Sequence, residues 1–370
     1  MTASKRPYFL AGGLVLVCGC LLLGVIFGPG LGRMLATSAA PKPDFDATLQ
    51  ALISAPTGSA VASAPTLVPG SAVASTPTLV PRSAVASTPT AVPASGQPSG
   101  HIVLTCQIYK YQSSNQICIM NADGSGYRRL TTEDGVQHFY PSLSTDGRSV
   151  VYSQYREDNV YEIYEMSLTD GVAKRLTDKL GVLNSPEISA DGKSIVFMRW
   201  TPASDQYQVW LMDRDGNHPR RAISGTAWDP TWSPDGTQIL FASDRTGSNQ
   251  LSVVNADGTG LHQISDLPAI RGRSDWSSQD LVATYSGEPW QHDIYVMNAA
   301  GSNPHKVAPP GGNSQGPSFS PDGTWIAFTA YFDMPHDDNG CEIYIMRTDG
   351  SDLRRLTNND YCDYQPRWGP

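Results

Sequence analysis

The 370-residue sequence predicts an all-β fold: a six-bladed β-propeller with a composite closing blade, preceded by one N-terminal transmembrane helix and a disordered linker. Three observations carry the prediction. First, the pattern I-Y-x-M-x-x-D-G, R-x-L-T, P-x-W/F-S-P-D-G, I-x-F-x-S returns six times after residue 100. Second, its turn glycines, Gly124, Gly171, Gly216, Gly258, Gly301 and Gly350, are spaced 47, 45, 42, 43 and 49 residues apart. A period near 45 with four short strands per unit is a propeller signature. One four-stranded sheet cannot cover both of its faces, whereas a ring of such sheets packs each face on a neighbour. Third, the two ends of the repeat are out of phase, which the closing blade explains.

From the N-terminus, residues 1–9 read as a cytoplasmic stub carrying Lys5 and Arg6. Leu10 to Phe27 is uncharged and would be roughly 27 Å long as a helix, enough to cross a bilayer. The preceding positive charges orient the rest outward. A cleaved signal peptide and a lipidated Cys18 or Cys20 are the alternatives, and all three readings export the repeats. Residues 28–100 read as a linker rich in Ala, Ser, Thr and Pro, with a 12-residue unit at Ser59–Gly70, Ser71–Arg82 and Ser83–Ala94. That composition buries no core and stays extended. Residues 101–370 form the propeller.

Within each blade, strand A (P-x-W-S) lies innermost and strand B is I-x-F-x-S. Strand C is I-Y-x-M, and strand D is R-x-L-T. The A strands are expected near Pro141, Pro186, Pro230, Asp275, Pro317 and Pro366. The chain enters the repeats on a B strand at Ile102 and leaves on an A strand at Gln365–Trp368. Pairing the two closes the ring and removes two exposed sheet edges.

The chain carries a formal charge of −9. Lys5, Arg6, Arg33, Lys42 and Arg82 precede residue 101, with Asp44 and Asp46, so the repeats alone carry −12. That balance excludes a phosphate-backbone partner. No CxxC pair or His spacing suggests zinc. Cys341 and Cys362 fall in loops of adjacent blades on one face, and Cys106 and Cys118 on neighbouring strands of the closing blade, so two structural disulfides are expected. The Asp of S-x-D-G, repeated at Asp146, Asp191, Asp235 and Asp322, reads as a turn cap rather than a catalytic set. Asp213–Asn217 lacks the spacing of a calcium loop. Gly312–Gly316 matches GxSxG without the strand and helix that a nucleophile elbow needs. His138 and His336, with Asp333, Asp337 and Asp338, are a weak metal alternative. No metal, cofactor or catalytic constellation is expected.

The motifs W-S-P-D-G at Trp232–Gly236, F-S-P-D-G at Phe319–Gly323, F-A-S-D-R-x-G at Phe241–Gly247 and I-Y-x-M-x-x-D-G at Ile343–Gly350 resemble the C-terminal propeller of the TolB family. That family's members belong to the Tol-Pal system of the bacterial envelope. The resemblance covers residues 101–370 and implies a propeller that binds protein. The α/β domain that precedes the propeller in TolB is replaced by the anchor and linker. Similar repeats occur in propellers of dipeptidyl-peptidase and tricorn-type proteases.

The residues just before each A strand are expected to ring the mouth of the central channel. The binding candidates are His138, Tyr140, Asn184, Trp228, Asp229, Arg273, Gln315, Asp363 and Tyr364. Aromatic bodies with polar tips suit a peptide segment or a glycan. The expected function is a membrane-anchored, extracytoplasmic scaffold with a monomeric propeller that engages an envelope protein. The alternative is a module that binds or degrades polysaccharide, with His138, Arg273 and Asp363 as site members. A spacer without a partner is the third reading.

Overall fold

The computed structural model describes residues 96–109, 112–133, 135–308, 312–331 and 340–370. The expected anchor and linker, and His336 with its three neighbouring aspartates, lie outside the described residues. Among the described residues no helix is long and apolar enough to cross a membrane.

Among the described residues every element is a strand. The first meander holds β1 (His101–Tyr109), β2 (Gln112–Asn121) and β3 (Arg128–Arg129). The second holds β4 (His138–Leu143), β5 (Ser149–Glu157), β6 (Val160–Ser167) and β7 (Ala173–Arg175). The third holds β8 (Val182–Ile188), β9 (Ser194–Trp200), β10 (Gln208–Asp213) and β11 (Arg220–Arg221). The fourth holds β12 (Trp228–Trp232), β13 (Gln238–Ser243), β14 (Gln250–Asn255) and β15 (His262–Gln263). The fifth holds β16 (Ile270–Trp276), β17 (Leu281–Glu288), β18 (Gln291–Asn298) and β19 (His305–Lys306). The sixth holds β20 (Gln315–Phe319), β21 (Trp325–Ala330), β22 (Glu342–Arg347) and β23 (Arg354–Arg355). Last comes β24 (Asp363–Gly369), which pairs antiparallel with β1 and completes the first meander in the order β24-β1-β2-β3. One parallel bridge, Tyr161 to Val182, links the second and third meanders into a single sheet.

The first strands of successive meanders touch in a cycle, from β4 through β8, β12, β16 and β20 to β24 and back to β4. The core follows that cycle. Ile102 and Leu104 pack with Trp325, Ile343 and Ile345 of the sixth meander. Val103, between them, points the other way onto Leu143, Val150 and Tyr152 of the second. This period-2 alternation gives each sheet two apolar faces. Comparable clusters fill the other four junctions.

The repeated motifs have local causes. In the A–B turns, Ser144, Ser189, Ser233 and Ser320 donate from Oγ to the Asp two residues on, at 2.6, 2.7, 2.6 and 2.5 Å. Those aspartates are turn caps, and the hydroxyl bond holds their carboxyls below the usual range at Asp146, Asp191 and Asp235. The fifth meander has Ser277 and Gln279 instead, in a turn one residue shorter.

The Thr of R-x-L-T clamps strand D to strand C. Thr177 Oγ1 accepts from Ile163 N at 3.0 Å and donates to Glu162 Oε2 at 2.5 Å. Thr131 does the same with Ile117 and Gln116, and Thr357 with Ile343 and Glu342. Strand D is two or three residues long, and this clamp holds it.

Both expected disulfides are present. Cys106 joins Cys118 with Cα atoms 5.9 Å apart, and Cys341 joins Cys362 at 4.6 Å.

Candidate functional site: a ring of left-handed residues

Each innermost strand breaks its register with the second strand near its start. The slips fall between Phe139 and Ser142, Asn184 and Glu187, Trp228 and Thr231, Gly272 and Asp275, and Gln315 and Ser318. The sixth lies in β24, opposite Val103–Thr105. At each slip one residue takes a positive φ: Tyr140 (53°), Ser185 (51°), Asp229 (49°), Arg273 (24°), Gly316 (57°) and Gln365 (55°). A bulge of this kind re-aims a side chain. All but Arg273 stand directly before a proline. Proline lacks an N–H, and the innermost strand is an edge of its sheet, apart from the one bridge that β8 makes at Val182, so the bulge leaves no donor stranded there. The left-handed backbone costs about 1–3 kcal/mol at each non-glycine position.

The ring is wired together. Asp229 Oδ1 accepts from Ser185 Oγ at 2.8 Å, and Oδ2 accepts from the Arg273 backbone N–H at 3.1 Å. Gln365 Oε1 accepts from Tyr140 N at 3.0 Å and Thr105 Oγ1 at 2.8 Å. Thus one carboxylate fastens three consecutive meanders, and one amide fastens the closing seam.

The ring borders a cavity of about 60 Å³. Its walls include Tyr140, Tyr207, Trp228, Tyr285, Tyr331 and Tyr364, with Asp229, Arg271, Arg273, Gln315, Thr329 and Gln365 adding polar groups. Several tips are anchored. Tyr364 OH donates to Asn115 Oδ1 at 2.9 Å, and Trp228 Nε1 donates to Arg271 O at 3.3 Å. Burial raises the Tyr140 and Tyr285 hydroxyls above their ordinary pKa.

Arg273 is 6% exposed. Its guanidinium lies 5.2 Å from the Tyr140 ring centroid, and Nη2 donates to Pro141 O at 3.4 Å and Gln365 O at 3.5 Å. Burial, reinforced by the charge of Arg367, lowers its pKa to about 10. Arg367 is buried with Nη2 at 3.2 Å from Glu187 Oε2 and Nη1 at 2.8 Å from Asp275 Oδ1.

Six of the nine expected site residues line the cavity: Tyr140, Trp228, Asp229, Arg273, Gln315 and Tyr364. The other three do not. All nine sit inside the innermost strands rather than in loops, and these three are turned into the sheet. His138 is 2% exposed, its ring 5.6 Å from that of Tyr152, and burial pushes its pKa down to about 4. Asn184 is buried. Asp363 is fully buried and accepts from Tyr127 OH at 2.9 Å and Asn359 Nδ2 at 2.8 Å. Burial and then the Glu342 charge raise its pKa to about 7. The trio expected for polysaccharide chemistry is therefore not assembled, since only Arg273 reaches the cavity. Met198, Tyr207, Arg271, Tyr285, Thr329 and Tyr331 join the walls unforeseen. For Tyr285 the antiparallel register held a signal, because the second strand's end lies opposite the first strand's start, where it pairs Gly272. Gln365 was marked by its place before Pro366.

No protein-family model matches the chain. It is 34% identical over 226 residues to the Tol-Pal system protein TolB of Francisella tularensis, covering 48% of this chain and 52% of that protein. The chain thus spans about half the length of the curated relatives it matches. Among solved structures, TolB of Acinetobacter baumannii superposes with a TM-score of 0.63 at 21% identity, over 74% of this chain and 68% of that one. A second, described as a putative TolB of Agrobacterium tumefaciens, gives 0.58 at 18% identity, over 74% of this chain and all of that one. At those identities the likeness concerns the fold.

Proposed function

From the premise that residues 101–370 form a TolB-like β-propeller, we propose that the chain is a membrane-anchored, extracytoplasmic interaction module of the cell envelope. In this reading six blades close around one axis through the β24–β1 pair. Residues 10–27 anchor the chain, residues 28–100 tether the propeller, and the cavity beside Arg273 receives a segment of an envelope protein. The propeller acts as a monomer, and no catalytic step is assigned to it.

The observation that carries the reading is the ring of six positive-φ residues at one end of the innermost strands. Five are not glycine, so the fold bears backbone strain at the place where it aims side chains at the cavity. Strain of that kind concentrates at binding sites. The likeness to Tol-Pal system protein TolB supports an envelope partner.

The test is photo-cross-linking in whole cells, with a photoreactive residue at Gln315 of the full chain. A discrete protein adduct, weakened by Trp228→Ala, is the expected result. Absence of any protein adduct, or cleavage of an envelope polysaccharide by the purified chain, overturns the reading.

A further inference from the structure

The two buried arginines, Arg273 and Arg367, are provided for differently. Arg367 is buried against two carboxylates, Glu187 and Asp275. Arg273, equally buried, has no carboxylate within 4.0 Å among the described residues, and its Nε and Nη1 have no hydrogen-bond partner there. Its Nη2 carries the two carbonyl bonds, so three of the five N–H donors are unsatisfied. A buried charge without a partner is costly unless something else pairs it.

We infer that Arg273 is the anchor for a carboxylate presented by the protein segment that enters the cavity. The inference rests on the interaction reading above and names the chemical group that the segment must bring. The space fits. A cavity of about 60 Å³ holds a small group and no folded domain. The charges fit as well. Asp229 is the one acidic side chain on the wall, and both of its oxygens are engaged, by Ser185 Oγ and the Arg273 N–H. Arg271 also faces the cavity, its Nε and Nη2 bonded to Gly287 O at 3.1 and 2.9 Å. Two guanidiniums against one carboxylate make a positive spot in a repeat region that carries −12 overall. A singly charged carboxylate suits that balance better than a phosphate dianion, which Asp229 would repel. The wall aromatics, led by Tyr140 and Trp228, supply apolar area to the residues flanking the acid. The lowered pKa of Arg273 remains high enough to keep the guanidinium charged at neutral pH.

The experiment uses the full chain in detergent and ligand-observed NMR. N-acetyl-phenylalanine and its amide, N-acetyl-phenylalaninamide, are the paired probes, with galacturonic acid and inorganic phosphate as further arms. The acid is expected to bind at least tenfold more tightly than the amide, to lose that preference in Arg273→Gln, and to keep part of it in Arg273→Lys. Equal binding of acid and amide by the unaltered protein overturns the inference and needs no variant. Undiminished binding of the acid by a folded Arg273→Gln protein also overturns it, as does tighter binding of galacturonic acid or phosphate than of the peptide acid. If the Gln315 cross-link survives in Arg273→Gln, the carboxylate anchor fails while the interaction reading stands. If the cross-link is absent from the unaltered protein, the interaction reading itself has failed.

Discussion

The guanidinium of Arg273 donates to the carbonyl oxygen of Pro141, 3.4 Å away. The strands that hold the two residues, β16 and β4, stand three places apart in a cycle of six, so they face each other across the axis. A single side chain therefore links two opposite strands, and among the described residues no carboxylate lies within 4.0 Å of its guanidinium.

That arrangement predicts a gain of stability on removal. In the ligand-free protein, Arg273→Met should raise the urea midpoint, worth on the order of 1 kcal/mol, because an apolar side chain of similar length avoids burying an unpaired charge. A loss larger than that would mean the guanidinium holds the ring together, and its carbonyl bonds would then be the reason it is there.

The closing seam predicts a different response. Trp368 is 8% exposed, packs among Ile102, Leu104 and Trp325, and donates from Nε1 to Ser99 O at 2.8 Å. Trp368→Ala should cost about 3–5 kcal/mol. Deleting residues 364–370 should leave no cooperative unfolding transition by circular dichroism. A truncated protein with unchanged melting would show that the ring is closed by something other than β24.

The two disulfides should each matter by roughly 3 kcal/mol on loop-closure grounds, given separations of 12 and 21 residues. Cys341→Ser/Cys362→Ser should lower the melting temperature and also loosen β24, because Asp363 N donates to Cys341 O at 2.9 Å. Melting that is indifferent to reductant would argue against both bridges.

Acid has opposing effects on buried groups. Asp363 is raised to about 7 by burial, so the folded state holds a proton that the unfolded chain releases above about pH 4. Its contribution is full below about pH 4 and is lost as pH rises to about 7. His138 and His292 act the other way. Burial lowers both to about 4, so their contribution is present above about pH 6.5 and is lost as pH falls toward 4. Asp363→Asn removes the first effect alone. Its stability relative to the unaltered protein should climb between pH 4 and 7, by up to about 1.4 kcal/mol per unit, and level off above. Urea titrations across that range measure it, and a pH-independent difference would place the Asp363 pKa near its ordinary value.

The C–D clamp gives a prediction of its own. Thr177→Val strands the Ile163 N–H and one oxygen of Glu162, both buried, and should cost about 1–3 kcal/mol. Thr177→Ser should restore most of it, as Ser265 does naturally against Leu251 N at 2.8 Å. Equal stability of the Val and Ser variants would remove the clamp as the reason for the R-x-L-T motif.

Much of this was legible in the residues. The period gave the repeated unit, and the phase of the two ends gave the β24–β1 pair, because the hydrophobic and turn patterns act locally and recur. Six cavity residues were reached through their position before an inner strand. The errors have one cause. All nine candidates were expected before the strands, but the strands begin earlier, and three of them, His138, Asn184 and Asp363, are turned into the sheet. Pattern alone does not show where a bulge will flip the alternation. The walls supplied by Tyr207 and Tyr331 come from chain that is distant in sequence, and no short-range motif announces them.

The six positive-φ positions hold Tyr, Ser, Asp, Arg, Gly and Gln, which share no chemistry. What they share is a backbone bend, followed in five of the six by a proline. Geometry and identity are thus decoupled: the frame fixes where each pin of the socket stands, and leaves open which pin it is. Recognition in this scaffold can be rewritten one pin at a time, with the hydrophobic junctions between sheets left untouched.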